Sequence, residues 1–214
     1  MSLTLHGYWR STTAYRVRIA LALKGIAYEQ VAYDLRTGAQ RKAEYRTLNP
    51  QGLVPALETD DVVLTQSPAI LEWIDEVYPD PPLLPAGAND RAIVRAMAAT
   101  VACDIHPVNN LRILNALRTE FGADEAAVNR WIARWIGDGF AALETLIARY
   151  GDGFAFGAMP TIADCHLVPQ VYSAERFAVD LSPYPKLKAA AGNARALPAF
   201  AAAHPDQQPD ADRA

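Results

Sequence analysis

Arg10-Ser11-Thr12-Thr13-Ala14-Tyr15-Arg16-Val17-Arg18-Ile19-Ala20-Leu21 decides the fold. A short strand-like run, Leu3-Thr4-Leu5-His6, precedes it, and the helical pattern it opens continues to Lys24-Gly25. Three hydroxyls and an arginine therefore occupy a strand-to-helix turn. A helix N-terminus has unpaired N–H groups and a partial positive charge. Such a turn suits an anion, a thiolate or a carboxylate. The same hydroxyls also fit an ordinary N-cap. No cysteine stands at the turn, so a thiolate held there must come from a cosubstrate.

Working outward, a helix over about Ala14 to Leu23 stops at Gly25, a residue suited to the left-handed exit of a helix. Tyr28 to Tyr33 is rich in strand formers. Arg41 to Leu48 reads as a short helix closed by Asn49-Pro50. Pro55-Ala56-Leu57-Glu58, Thr59-Asp60-Asp61 and Val62-Val63-Leu64 read as strand, turn, strand. A helix follows from about Ser67 to Val77. The order β-α-β-α-β-β-α is that of a thioredoxin-like half over residues 1–80. Pro79, Pro81, Pro82 and Pro85, four prolines in seven residues, make a stiff connector over 81–88. Residues 89–204 read as an all-helical domain. Between Asp124 and Tyr150, the residues Val128, Trp131, Ile132, Trp135, Ile136, Phe140, Leu143 and Ile147 follow helical spacing for one buried face. The polar, proline-bearing residues 205–214 read as a flexible tail.

Composition narrows the class. The chain has 214 residues, 51% hydrophobic and 21% charged, with a net charge of −4. These values fit a globular protein with a substantial core and argue against a general nucleic-acid binder. The two cysteines, Cys103 and Cys165, form no Cys-x-x-Cys motif, which argues against a dithiol site and a cysteine-based zinc site. No metal site is expected. No apolar run approaches the length of a membrane span, and the opening residues lack a signal peptide's blocks, so a cytoplasmic protein is expected.

Five further segments have the residue types of a site. In Asn49-Pro50-Gln51-Gly52-Leu53-Val54-Pro55, a cis bond at Val54-Pro55 would turn the Val54 backbone outward to pair with an extended ligand, whereas a trans bond would make a plain loop. In Gln66-Ser67-Pro68, Ser67 reads as a cap with Pro68 at the first helical position. That start either merely caps the helix or receives a carboxylate with help from Gln66 and Ser67. In Asp104-Ile105-His106-Pro107-Val108-Asn109-Asn110-Leu111-Arg112, His106 and Asn110 are spaced to share a helical face, and Pro107 should kink the helix. Arg112, if buried, needs an anionic partner, either a ligand or Asp104. Arg176 either reaches the same cleft or pairs on the surface with Glu175. Thr161 and Asp164 have capping-box spacing, and that segment reads as structural.

In combination and order these segments resemble the zeta class of the glutathione transferase superfamily, whose members isomerise maleylacetoacetate or maleylpyruvate. The resemblance spans nearly the whole chain. It extends through Ala163-Asp164-Cys165-His166-Leu167-Val168-Pro169-Gln170 and Ala174-Glu175-Arg176-Phe177-Ala178-Val179-Asp180-Leu181. One departure is plain. Many zeta members have Ser-Ser-Cys at the turn, where this chain reads Ser11-Thr12-Thr13. Similar maleylpyruvate isomerases also lack that cysteine.

The resemblance implies a thioredoxin-like domain followed by a helical domain, a homodimer, and glutathione as cofactor. It assigns the γ-glutamyl end to Gln66 and Ser67 and the cysteinyl backbone to Val54 beside Pro55. The sulfur would lie at Ser11 and Thr13, with His106 and Asn110 as further contacts. Arg10, Arg112 and Arg176 would clamp a small dicarboxylic substrate, with Arg10 also near the reacting atoms. A conjugating transferase and a non-enzymatic binding protein on the same fold are the competing readings. The three arginines disfavour the first, and the retained glutathione contacts disfavour the second.

Overall fold

The computed structural model describes residues 2–212, and the chain divides into two compact units. The first comprises residues up to Leu83 together with those from Ala196 onward; the second is Leu84–Arg195.

The first unit is built on a four-stranded sheet. Strand β1 (Thr4–Gly7) leads into helix α1 (Thr12–Leu23), then β2 (Glu29–Ala32), helix α2 (Ala43–Leu48), β3 (Ala56–Glu58), β4 (Val63–Thr65) and helix α3 (Ser67–Val77). The strand order is β2-β1-β3-β4. β1 pairs parallel with β2, Leu5 opposite Gln30, and antiparallel with β3, Leu5 opposite Leu57. β3 and β4 are antiparallel. This is the expected thioredoxin-like order, with the connection through α1 joining parallel neighbours.

Helix α1 is buried from Thr12 to Leu21 except at Thr13, although it contains two arginines. Each buried guanidinium needs acceptors. Arg18 donates through Nε to the Ala203 carbonyl at 3.0 Å and through Nη2 to the Trp9 carbonyl at 2.9 Å. Arg16 donates from Nη1 to Ser67 Oγ at 3.2 Å. The helix exits through Gly25 at φ +65°, as its residue type suggested.

The second unit is helical: α4 (Ala88–Ala99), α5 (Leu111–Thr119), α6 (Glu125–Tyr150), α7 (Ile162–Arg176) and α8 (Pro185–Arg195). In α6, Val128, Ile132, Ile136, Phe140, Leu143 and Ile147 form the buried stripe. Trp131 and Trp135 lie at its half-buried margin. Helix α7 is buried on nearly every face and packs against α4 and α8. No helix among the described residues is long and apolar enough to cross a membrane.

Two boundaries differ from the sequence reading. The 81–88 segment is not a bare connector. Leu83 and Leu84 are buried, and the buried Lys24 ammonium binds Asp75 at 2.7 Å and the Tyr78 and Pro81 carbonyls at 2.6 Å each. The helical domain ends at Arg195, not at 204, and the expected tail is docked through residue 212. Helix α9 (Pro198–Ala203) packs on α1 with Phe200 and Ala203 buried. Asp210 then accepts from the Trp9 N–H at 2.9 Å and from Gln30 Nε2 at 3.0 Å, and Asp212 pairs with Arg36 at 2.6 Å. These carboxylates find their donors in the first unit. Residues 213 and 214 of the expected tail lie outside the described residues.

Candidate active site

At the start of α1 the capping reading of the turn is met. Ser11 is the N-cap, its Oγ accepting from the Ala14 N–H at 3.2 Å. Its own N–H donates to the Tyr8 carbonyl at 3.0 Å. Ser11 Oγ also lies 2.9 Å from Thr13 Oγ1, and Thr13 Oγ1 donates to the Val54 carbonyl at 3.0 Å. Ser11, Thr13 and Val54 are thus one hydrogen-bonded cluster. No acidic residue occupies the first turn of α1, so nothing on the helix itself neutralises its positive end. Arg10 precedes the cap, half-buried, with its guanidinium over the Trp9 ring at 5.1 Å.

The Val54-Pro55 bond is cis, which corrects the trans loop that the residues alone also allowed. Three side chains hold this loop. The Leu53 carbonyl accepts from Tyr45 Oη and from Asn49 Nδ2, each at 2.6 Å, and the Val54 carbonyl accepts from Thr13. Burial raises the Tyr45 phenol pKa, so the group remains a donor. No acceptor among the described residues meets the Val54 N–H. A backbone N–H with no acceptor, beside its residue's carbonyl, is the pair of groups that an extended peptide ligand uses.

At the start of α3 the sequence reading needs correction. Ser67 is the first helical residue, not the cap. Gln66 is the cap, at φ +66°, and makes no side-chain capping bond. A positive φ on glutamine is uncommon. Gln66 Nε2 instead donates to Gln51 Oε1 at 2.7 Å. Ser67 is buried, with the Arg16 guanidinium behind its hydroxyl. The α3 N-terminus therefore combines helix N–H groups, a hydroxyl and a nearby cation, a donor set that fits a carboxylate. Arg16 and Tyr45 were not singled out from the sequence, and Asn49 and Gln51 were named only as part of the Asn49–Pro55 segment. The available signal was Arg16 and Arg18 inside an otherwise apolar helix.

The remaining predicted residues lie in the second unit. Helix α4 passes into a π-helical stretch, Thr100–Ile105, then a short 3-10 turn, Pro107–Asn109, before α5. The His106 N–H reaches back to the Val101 carbonyl at 2.9 Å. His106 and Asn110 therefore do not share one α-helical face, because the backbone changes pitch between them. Asn110 is the N-cap of α5, its Oδ1 accepting from the Arg112 N–H at 3.1 Å. Arg112 is exposed, not buried, and no Asp104–Arg112 pair forms. Arg176 is exposed at the end of α7 with its guanidinium 4.7 Å from the Phe177 ring centre. Glu175 is held by Arg195 through two bonds of 2.8 Å. Thr161 and Asp164 form the capping box that opens α7, as expected. A π-helical insertion leading into a polar turn is a frequent mark of a functional segment.

Comparison with known proteins gives these features a family. The family model described as "Glutathione S-transferase, N-terminal domain" matches residues 1–76, and "Glutathione S-transferase, C-terminal domain" matches residues 129–190. A maleylpyruvate isomerase from Ralstonia sp. is 54% identical over 209 residues, covering 96% of this chain and 98% of the relative. The holo structure of a zeta-class bacterial maleyl pyruvate isomerase superposes with a TM-score of 0.96 at 54% identity, covering 98% of this chain and 100% of that one. A maleylacetoacetate isomerase from Anaeromyxobacter dehalogenans 2CP-1, solved with dicarboxyethyl glutathione and citrate in its active site, gives a TM-score of 0.89 at 44% identity, covering 99% and 98% of the two chains. Over nearly its whole length the chain belongs to the zeta class of the glutathione transferase family.

Proposed function

We propose that this protein is a glutathione-dependent cis–trans isomerase of a maleyl diketo acid, either maleylacetoacetate or maleylpyruvate. The observation that carries the reading is the Ser11–Thr13–Val54 cluster at a helix start without its own carboxylate. Bound glutathione supplies a thiolate that adds reversibly to the cis double bond, so that rotation while the bond is single gives the trans product and the thiol is returned.

The chain's own groups divide this work. The Val54 N–H and carbonyl dock the cysteinyl backbone. Gln66, Ser67 and the α3 N-terminus take the γ-glutamyl carboxylate. The Ser11 hydroxyl and the α1 N-terminus hold charge on the sulfur, which favours the thiolate near neutral pH. Arg10, Arg112 and Arg176 bind the substrate carboxylates and face the negative charge that develops on the substrate oxygen. His106 and Asn110 complete the contacts to cofactor and substrate. The proposed setting is a homodimer, as the class resemblance implies, in the cytoplasm, as the residue pattern suggests.

The test is an isomerisation assay on both maleyl acids with and without glutathione. Turnover that requires glutathione and does not consume it is expected, and the faster substrate identifies the pathway. Net consumption of glutathione on small electrophiles, with no isomerisation, would replace this reading with a conjugating transferase.

A further inference from the structure

The Tyr8–Ser11 turn, which carries Arg10 and leads into α1, is held from the far end of the chain. The Ser11 N–H closes the turn on the Tyr8 carbonyl, with Trp9 and Arg10 as its central residues. That closing bond alone fits either face of the Trp9–Arg10 peptide, because turn types I and II share it and differ by a flip of the central unit. Here both backbone polar groups of Trp9 are taken. Its carbonyl accepts from Arg18 Nη2 at 2.9 Å, and the same guanidinium donates from Nε at 3.0 Å to Ala203, the last residue of α9. Its N–H donates to Asp210 Oδ2 at 2.9 Å. Asp210 is itself seated. Its Oδ1 accepts from Gln30 Nε2 at 3.0 Å, and Gln208 Nε2 ties the segment to the Ala202 and His204 carbonyls at 3.1 and 2.9 Å.

Trp9 is buried, and the Arg10 guanidinium lies over its ring at 5.1 Å, so the placement of Trp9 also places that cation. Resting on the isomerase reading above, we propose that Asp210 is a positioning residue for the reaction. By holding the Trp9 N–H it fixes the turn that aims Arg10 at the substrate carboxylate. A carboxylate is a stronger acceptor for an N–H than a neutral group. An arginine fork binds a carboxylate well only when its plane is aligned, so a small shift of the turn weakens the clamp. Ser11 Oγ has bonds of its own to Ala14 and Thr13, so loss of Asp210 falls on Arg10 rather than on the sulfur site.

The test measures steady-state isomerisation and glutathione affinity on the full chain. Asp210→Ala should raise KM for the maleyl substrate about tenfold, with glutathione affinity changed by less than about twofold. Asp210→Asn, which keeps an acceptor for the Trp9 N–H, should return KM to within about threefold of the wild type. Asp212→Ala breaks the neighbouring pair with Arg36 and should leave KM within about twofold. In an Arg10→Ala background, Asp210→Ala should add less than about twofold, because the two act as one unit. If Asp210→Ala does not fold, Asp210→Glu, which keeps the charge but moves the acceptor by one methylene, should raise KM about threefold. An unmoved KM, an equal loss without Arg10, or no recovery in Asp210→Asn overturns the positioning role and leaves the isomerase reading intact. A wild type that isomerises neither maleyl acid overturns both.

Discussion

The starts of α1 and α7 look alike in sequence, a hydroxyl residue ahead of an apolar run, yet they are built for opposite purposes. At α7, Thr161 caps the helix and Asp164 returns a carboxylate to the same end. That carboxylate is fully buried and accepts from the Ala155 and Thr161 N–H groups, each at 2.8 Å, and from Thr161 Oγ1 at 3.1 Å. Its positive end is neutralised from within. At α1, Ser11 caps but no acid follows, and its hydroxyl meets only the neutral hydroxyl of Thr13. A helix start that supplies its own anion is a structural joint; one that withholds it is open to an anion from outside.

The largest expected effect lies at the closed end. Asp164→Ala strands three buried donors and should destabilise the protein by about 3 kcal/mol or more in denaturant unfolding. A loss below about 1 kcal/mol would erase the contrast between the two starts. The same carboxyl titrates unusually. Burial pushes it up from 3.8 to about 6, against the pull of its N–H and O–H donors. It therefore binds a proton more tightly in the folded chain than in the unfolded one. Its contribution to stability is complete below about pH 4 and is lost as pH rises through about 6, a change of roughly 3 kcal/mol. Unfolding measured across this window should show the wild type losing stability relative to Asp164→Asn; parallel curves would remove the buried titration.

At the open end the balance reverses. Ser11→Ala should cost about 1 kcal/mol of stability as a lost cap. It should lower the isomerisation kcat by about 10- to 100-fold, with less effect on glutathione affinity. An unchanged kcat would make this start as purely structural as that of α7. The smallest effect belongs to a residue at neither start. Arg112→Ala should raise KM for the dicarboxylic substrate by about tenfold and change stability by no more than about 0.5 kcal/mol, because its side chain is exposed. A KM that does not move would remove it from the substrate clamp.

The contrast also marks what could be read from residues alone. The capping box at Thr161, the α6 stripe and the strand–helix order of the first unit follow from local periodicity and spacing, and all were legible. Ser67 was misplaced by one position because the left-handed backbone of Gln66 has no composition signal. His106 and Asn110 were put on one face because the 3-10 turn between them and the new helix start at Asn110 break the period without a signal in residue type. Asp210 and Asp212 read as a loose tail because their donors, Trp9, Gln30 and Arg36, lie far back in the chain. Arg112 was conditionally read as buried because charge within an apolar zone suggests burial. In each case the deciding fact is a long-range partner, a backbone angle or a side chain's exposure, none of which residue types alone reveal.

The return of the chain to its first unit has a consequence for synthesis. Arg18 and the Ala203 carbonyl it binds are separated by 185 residues. On the ribosome, the sheet and α1 emerge long before α9 exists to cover them. The buried flank of α1 stays bare while the whole helical unit is translated, until α9, made after that unit, closes it. Domains usually mature in the order in which they are made. Here the first unit to be started is completed after the second, so a stalled or truncated product lacks α9, its closing helix, even when every residue of the α1 turn has been translated.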